Sequence, residues 1–478
     1  MNNLILKIIR HRRIFLFIWV FAIILLLILA VLHLKSGMLG TETSEQYHHI
    51  RIASEIADTK KIPSTDYATV ENREYIINPY HILLAVFIFL LGKDLSILIL
   101  PLILGILMLL IFILTLNQMG IDKERVVLIV FLTIISPTFL NIFSTLNDSS
   151  LALVLMFLAF YLLITFRQWI LQFVSILLFV ICLFFNLFGA VIAIIFLTLG
   201  YSIEKAKAGV SRLWILMLIV VTFVYYSHVP LSRLFIYSTE PYLGVLLSDL
   251  GSFIGFSTFF LVLSLVGMMT FWKRKSELWL IYFIALFIFI GFFLFKNIAI
   301  PYALLFLGIF AGFGFYRIIA SQWKLKLLGN LTLVLILCGL FFSTLSYLNH
   351  VKNSEFNPTL LQSLEWLNKN DRQGAVLSYQ GYGFAIEYIA NMPVVADYLS
   401  SEKYVNLSNY LLSQRNIERF GESSNEYGIR YVLITPEMRN GLVWSRKDDG
   451  LLFLLKNSEN FNKVFDKNDC EVWEVEQK

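Results

Sequence analysis

Pro79-Tyr80-His81-Ile82-Leu83-Leu84-Ala85-Val86-Phe87-Ile88-Phe89-Leu90-Leu91 is an almost unbroken apolar run. Whether it crosses a membrane decides the architecture of everything after it. The chain has 478 residues, 58% hydrophobic and 15% charged, with a mean hydropathy of +0.74, the balance of a polytopic membrane protein. Longer apolar runs stand at 14–34, 95–116, 126–143, 149–166, 169–185, 187–203, 213–228, 253–271, 278–295, 298–316 and 327–347. Pro79–Leu91 is shorter than the ~17 residues that a spanning helix needs at least. If it spanned, the loop with Lys123 and Arg125 and every later basic loop would fall outside. If it lies in the outer interface, the N-terminal Lys7, Arg10, Arg12 and Arg13 fall inside. So do Lys123/Arg125, Arg167, Lys205/Lys207/Arg212, Lys273/Arg274/Lys275 and Arg317/Lys324/Lys326. The positive-inside rule selects the second arrangement. It gives about eleven transmembrane helices, a cytoplasmic N-terminus, an external C-terminus and a long external loop 35–94 with a non-spanning helix at 79–91.

A net charge of +5 gives no case for nucleic acid. Ile14–Leu34 is too long for the apolar core of a signal peptide and lacks a small-residue cleavage pattern. Cys182, Cys338 and Cys470 supply no disulfide framework and no metal-binding cysteine motif. After Tyr347 the composition turns polar. Strand-like runs at Ala375–Ser378, Val394–Ala396, Tyr431–Ile434 and Glu471–Val475 alternate with helix-like stretches at Pro358–Asn370 and Glu402–Arg419, the pattern of a small α/β domain. The expected division is a transmembrane domain, 1–348, and an external α/β domain, 349–478.

The densest ionisable stretch is Gly40–Arg51, Gly-Thr-Glu-Thr-Ser-Glu-Gln-Tyr-His-His-Ile-Arg. From Ser44 to Asp58 the spacing predicts an amphipathic helix with Ile50, Ala53, Ile56 and Ala57 on one face. Glu45 and His49 are four apart and share a face. A carboxylate and an imidazole so placed can hold a divalent cation or position a phosphate; the plainer reading is a wet interfacial helix. Asp148, at the mouth of the bundle between two apolar helices, is expensive unless paired or functional. Alternatively, Asn147 or Asp148 caps the helix that begins at Ser149. Glu240 falls on the same external face in an otherwise ordinary loop. Arg233 there is either a phosphate fork or a snorkelling membrane-edge arginine. Together Glu45, Asp148 and Glu240 bring carboxylates from three loops to one face, a set suited to a hard cation such as Mg2+ or Mn2+ and a phosphate-bearing substrate.

This layout resembles the GT-C membrane glycosyltransferases, and among them the single-chain archaeal and bacterial oligosaccharyltransferase catalytic subunit. That family carries an Asp followed by Tyr-Tyr-His-Leu-Arg in its first external loop. Glu-Gln-Tyr-His-His-Ile-Arg at 45–51 sets Glu45 on the Asp and His49 on the His, and leaves Glu42 and His48 off the motif. Asp148 falls on the first residue of the family's Asp-x-Asp-like motif, with Ser150 in place of the second acid. Tyr237-Ser238-Thr239-Glu240 matches the end of its Ser-Val-Ser-Glu type motif. Ser378-Tyr379-Gln380-Gly381-Tyr382-Gly383, with Glu387-Tyr388 and Pro393–Asp397, is similar to the region around the family's Trp-Trp-Asp-Tyr-Gly sequence, which reads the acceptor sequon. Here the Trp-Trp-Asp end is missing and the glycine-rich end remains.

The resemblance implies transfer of a sugar or oligosaccharide from a polyprenyl phosphate or pyrophosphate donor to a protein, glycan or lipid acceptor, with inversion. It implies metal ligation by Glu45, Asp148 and Glu240, with Glu45 and Asp148 as the catalytic carboxylates. His49, Arg51 and Arg233 would contact the donor phosphate, and Tyr379 and Gln380 the acceptor. A divergent asparagine oligosaccharyltransferase is the second reading. A lipid-linked-glycan transporter or inactive scaffold is the third, disfavoured because a transporter usually carries ionisable groups near the midplane and these spans hold almost none.

Overall fold

The computed structural model describes residues 14–35, 45–202, 212–227, 256–272, 299–353, 357–370, 373–446 and 448–476. They fall into two compact units. One is drawn from 1–32, 94–230 and 234–353; the other joins 33–93 and 231–233 to 354–478.

The first unit is helical: Ile14–Lys35, Lys93–Gln118, Lys123–Ile134, Pro137–Ser144, Asp148–Thr165, Trp169–Cys182, Leu187–Ser202, Arg212–Ser227, Thr258–Trp272, Ala299–Ala320 and Lys326–Asn353. Each apolar run expected to span coincides with one of these, except 278–295, which lies outside the described residues. Among the described residues four helices are long and apolar enough to cross a membrane: Lys93–Gln118, Asp148–Thr165, Ile300–Ala320 and Lys326–Lys352. The others are shorter apolar helices.

The run 126–143 is not the single helix that its apolarity predicts. It breaks into Lys123–Ile134 and Pro137–Ser144, bent by 66°. Pro137 cannot donate to the preceding turn and forces Ser136 into an extended conformation, ψ 129°. The break leaves carbonyls to be satisfied inside an apolar unit. Thr344 Oγ1 donates to the Ile135 carbonyl at 2.6 Å, and the Tyr347 hydroxyl reaches Asn141 Oδ1 at 3.1 Å. A neighbouring helix thus repairs the interrupted ladder.

Small residues set the closest helix crossing. Gly267 lies on the Phe310 carbonyl and Gly314 on the Leu263 carbonyl, with no room for a Cβ at either place. Ser264 Oγ also donates to the Leu307 carbonyl at 2.9 Å. Close backbone approach of this kind is how apolar helices associate where no water is left to expel. Gly267→Ala is therefore expected to destabilise by about 1–3 kcal/mol. The collision is with backbone, which no rotamer change relieves, so it outweighs the ~1 kcal/mol that alanine gains in helix propensity. Thermal unfolding in detergent measures it, and an unchanged or raised midpoint contradicts this account of the crossing.

The second unit begins with the helix Gln46–Thr59 and a two-residue antiparallel pair, β1 (Thr65–Asp66) with β2 (Arg73–Glu74). Pro79–Leu91 follows as a helix of 13 residues, about 20 Å long at 1.5 Å per residue, against a hydrocarbon layer of about 30 Å. Asn78 caps it by accepting from the Tyr80 amide at 2.9 Å, and Pro79 fills the position where no donor is missed. Tyr80, His81, Leu84 and Ala85 are buried on one side, while Val86, Phe89 and Leu90 stay exposed on the other.

The C-terminal part of this unit holds a four-stranded sheet in the order β3 (Ala375–Leu377), β4 (Ile429–Ile434), β6 (Cys470–Val475), β5 (Phe461–Lys467). β3 and β4 are parallel and the rest antiparallel. The helix-like stretch 402–419 is two helices, Glu402–Ser413 and Ile417–Glu426. Asn416 ends the continuity by capping the second, accepting from the amides of Glu418 and Arg419. Val394 pairs with Val376 of β3 and, on its other side, with Thr69 of the first loop. The Val70 amide donates to the Val394 carbonyl at 2.9 Å, and the Val394 amide to the Ala68 carbonyl at 3.0 Å. The first loop thereby adds main chain to the sheet's edge.

Candidate active site

The helix Gln46–Thr59 forms as its periodicity predicts, and its Ile50 and Ala53 are buried. Glu45 is the exposed residue at its start; its carbonyl accepts from the His49 amide at 3.0 Å. His49 turns inward rather than lying wet beside Glu45. His49 Nδ1 lies 2.8 Å from His81 Nε2, and His81 Nδ1 lies 2.8 Å from the Tyr75 hydroxyl. The three groups form a chain, buried at both histidines, that links this helix to Pro79–Leu91.

His48, which falls off the family motif, is as buried as His49. Its ring sits 5.3 Å from Phe384 and 5.5 Å from His81. Burial, then the guanidiniums of Arg51 and Arg73, push His48 well below the usual imidazole range. Burial, then His49 and Arg51, do the same to His81 against an opposing pull from Asp66. Both rings are neutral in the folded unit.

Arg51 is the pivot of a charged network. Its Nη2 lies 2.8 Å from Asp66 Oδ1 and 3.2 Å from Glu387 Oε2. Arg73 donates from Nη2 to Asp66 Oδ2 at 2.8 Å and from Nη1 to Asp397 Oδ1 at 2.7 Å. Asp397 also accepts from the Leu399 amide and the Ser400 hydroxyl. Asp66, Arg73, Glu387 and Asp397 are 3%, 6%, 2% and 0% exposed. Two guanidiniums face three carboxyls, so buried charge balances only if one acid is neutral. Burial, reinforced by neighbouring Asp397, pushes the Glu387 carboxyl well above its ordinary range. Of the three acids, Glu387 is the one that burial drives toward the protonated form. For Asp66 burial works in the opposite direction, yet Arg51 and Arg73 hold it below the usual range.

These shifts set opposed pH limits on the second unit. The unfolded chain protonates both imidazoles below their ordinary value of 6.5 and the folded chain does not. The stability contributed by burying neutral His48 and His81 is therefore complete above pH 6.5 and lost as pH falls. Glu387 works the other way. Its contribution is complete below its unfolded value of 4.5 and lost as pH rises through its raised folded value. Glu387→Gln copies the protonated acid without its titration. The variant is expected to lose less stability than the parent as pH rises above 4.5, in unfolding midpoints taken from there upward. A parallel decline in both proteins would mean that Glu387 is ionised when folded.

Glu387 lies in a π-helical turn, Ile386–Ala390, continuous with Gln380–Tyr382 and Gly383–Ala385. Gly383 lies against Asp397, where a Cβ would press on the Asp397 side chain and the Ala396 carbonyl. Tyr379 and Gln380, the expected acceptor contacts, are half-buried at the entry to that turn; the Tyr379 ring packs edge-on to Tyr382 at 6.1 Å.

Asp148 belongs to the first unit. Asn147 is the cap, its Oδ1 accepting from the Ser149 amide at 2.9 Å. Asp148 is the first helical residue, half-buried, with the Ser149 hydroxyl 3.4 Å from its Oδ1. It lies within electrostatic reach of the Tyr226 and Tyr302 hydroxyls. Ser150, in place of a second acid, is buried with its hydroxyl on the Asn147 carbonyl at 2.6 Å. It is not turned toward a ligand. Glu240 and Arg233 lie outside the described residues. Among the described residues no three His, Cys, Asp or Glu side chains gather as a metal site.

The structure thus brings His49 and Arg51 together with Asp66, Arg73, His81, Tyr75, Glu387 and Asp397, and places Glu45 at the edge of the same helix. No family model matches the sequence, and no curated protein matches it. Solved structures do. The apo oligosaccharyltransferase of Archaeoglobus fulgidus aligns with a TM-score of 0.65 at 14% identity, over 90% of this chain and 70% of that one. The same enzyme tethered to an acceptor peptide containing the NVT sequon aligns at 0.59 and 15% identity, over 87% and 69%. ArnT from Cupriavidus metallidurans bound to undecaprenyl phosphate aligns at 0.56 and 11% identity, over 97% and 98%. The chain has the GT-C-like fold of these membrane glycosyltransferases.

Proposed function

We propose that the chain is a membrane glycosyltransferase. It moves a sugar or oligosaccharide from a polyprenyl phosphate or pyrophosphate donor to an acceptor on the external face, other than an asparagine sequon. The reading includes eleven spans, a cytoplasmic N-terminus and an external second unit. The observation that supports it most is the end-to-end alignment with a fold partner whose structure holds undecaprenyl phosphate, together with the loss of the Trp-Trp-Asp segment where the oligosaccharyltransferases read their sequon.

On this reading Glu45, Asp148 and Glu240 hold a divalent cation, Mg2+ or Mn2+. Their hard carboxylate oxygens suit such an ion. The ion's chemistry is to neutralise the charge that develops on the departing phosphate. The protein's own part is positioning. Helix Gln46–Thr59 carries Glu45 on its rim. The network of Asp66, Arg73 and Glu387 fixes Arg51, and the His49–His81–Tyr75 chain fixes the other side of the helix. Arg51 is a donor-phosphate contact whose guanidinium orientation is set before substrate arrives, with Arg233 adding a second fork. One of the catalytic carboxylates can instead take the acceptor's proton. Tyr379 and Gln380 face the acceptor.

The test is transfer by purified protein from extracted polyprenyl-linked glycans, with and without EDTA, to native acceptors and to an Asn-x-Ser/Thr peptide. Glycan release to an acceptor that stops with EDTA and spares the peptide is the expected result. Peptide glycosylation would establish the asparagine reading instead, for which the alignment with the sequon-bound archaeal enzyme speaks. Absence of transfer to any acceptor would leave the transporter or scaffold reading.

A further inference from the structure

The helical unit contains a cleft of about 330 Å³ lined by Arg125, Thr270, Phe313, Tyr316, Arg317, Ala320 and Ser321. It lies where Lys123–Ile134 begins and where Thr258–Trp272 and Ala299–Ala320 end. The positive-inside rule assigns these ends to the cytoplasmic side.

Two guanidiniums line it, and both are oriented. Arg125 sits 5.0 Å from the ring centres of both Phe313 and Tyr316, a stacking that holds its plane. Its Nη1 is 3.3 Å from Asp122, while its buried Nε has no hydrogen-bond partner. Arg317 donates from Nη1 to the neutral Thr270 hydroxyl at 3.0 Å. That bond, to another helix, holds the guanidinium without cancelling its charge. Glu124, hydrogen-bonded to Tyr316, and Asp122 are the acids nearby. A lone snorkelling arginine at a membrane edge needs only water. Two forks on one concave wall, beside an aromatic floor, make an anion seat.

We propose that this cleft binds a phosphate group through Arg125 and Arg317, carried on an anionic membrane lipid or free in the cytoplasm. Phosphate oxygens take the guanidinium N–H donors.

Native mass spectrometry of the purified chain in detergent, titrated with phosphatidylglycerol, phosphatidylcholine or inorganic phosphate, tests this. Phosphatidylglycerol retained in preference to phosphatidylcholine, and weakened about fivefold in Arg317→Gln, assigns a lipid phosphate. Fivefold is the contribution of one membrane-edge arginine. Inorganic phosphate retained and weakened likewise assigns the free ion. Arg125→Gln disturbs the packing on Phe313, so the exposed Arg317 carries the test. Thr270→Val, which keeps every charge, is expected to give a smaller loss in the same direction. Equal retention of both lipids with no phosphate adduct overturns the proposal. So does any adduct that Arg317→Gln leaves unchanged.

Discussion

Replacing Arg73 by methionine is expected to destabilise the second unit by about 3–5 kcal/mol, the range for removing one partner of a buried ion pair. Methionine approximates the arginine stem, so the loss measures charge rather than packing. Asp66 keeps Arg51. Asp397, fully buried, is left with the Leu399 amide, the Ser400 hydroxyl and the neighbouring Glu387 carboxyl, and no guanidinium. The stranded carboxylate dominates the cost. Arg73→Lys is expected to recover a minor part, because one ammonium cannot reproduce a fork that reaches Asp66 and Asp397 at once. Adding Asp397→Asn to Arg73→Met should restore part of the stability by removing the stranded charge. Urea or thermal unfolding of the three variants in detergent measures this. An Arg73→Met midpoint equal to wild type would show that the network is not holding the loop.

The second large effect concerns rate. Glu45→Gln and Asp148→Asn are each expected to lower transfer by about 10²–10³-fold, the scale for losing one group that stabilises developing charge. Folding should barely change. Glu45 is exposed, and Asp148 leaves the cap itself to Asn147, losing only the ~0.3–1 kcal/mol of an acid at a helix start. Glu45→Asp, which keeps the carboxylate on a shorter stem, should retain most activity. Turnover at the parental rate in Glu45→Gln or in Asp148→Asn would remove that carboxylate from the site.

Apolarity made most of the helical unit readable. Runs of twenty apolar residues have few alternatives, and the helix at 79–91 forms over the bounds that its apolar run marks. What apolarity hid was the break at Pro137, which a hydropathy window averages away although the proline itself is the signal. β5 was missed because it is an edge strand with exposed Asn462, Lys463, Asp466 and Lys467, so no apolar alternation marks it. Its turn was written in Asn468 and Asp469, both in left-handed conformation. The site divides in the same way. His49 and Arg51 were found through a local motif. Asp66, Arg73, His81, Glu387 and Asp397 come from four separate segments whose meeting no spacing announces. His48 was passed over because a motif alignment scores one histidine of an adjacent pair, whereas the packing buries both.

The pairing of Thr69 with Val394 and of Arg73 with Asp397 also has a consequence in time. The second of these spans 324 residues of chain. At about 5–20 residues per second, the ribosome needs on the order of tens of seconds to supply the C-terminal partner after the loop has emerged. Through that interval Arg73 lacks Asp397 and His48 lacks Phe384, and an open strand edge waits at Ala68–Val70. The loop cannot mature as a piece of its own. A nascent chain stalled before 394 should present it to protease, and completion of the sheet should close it.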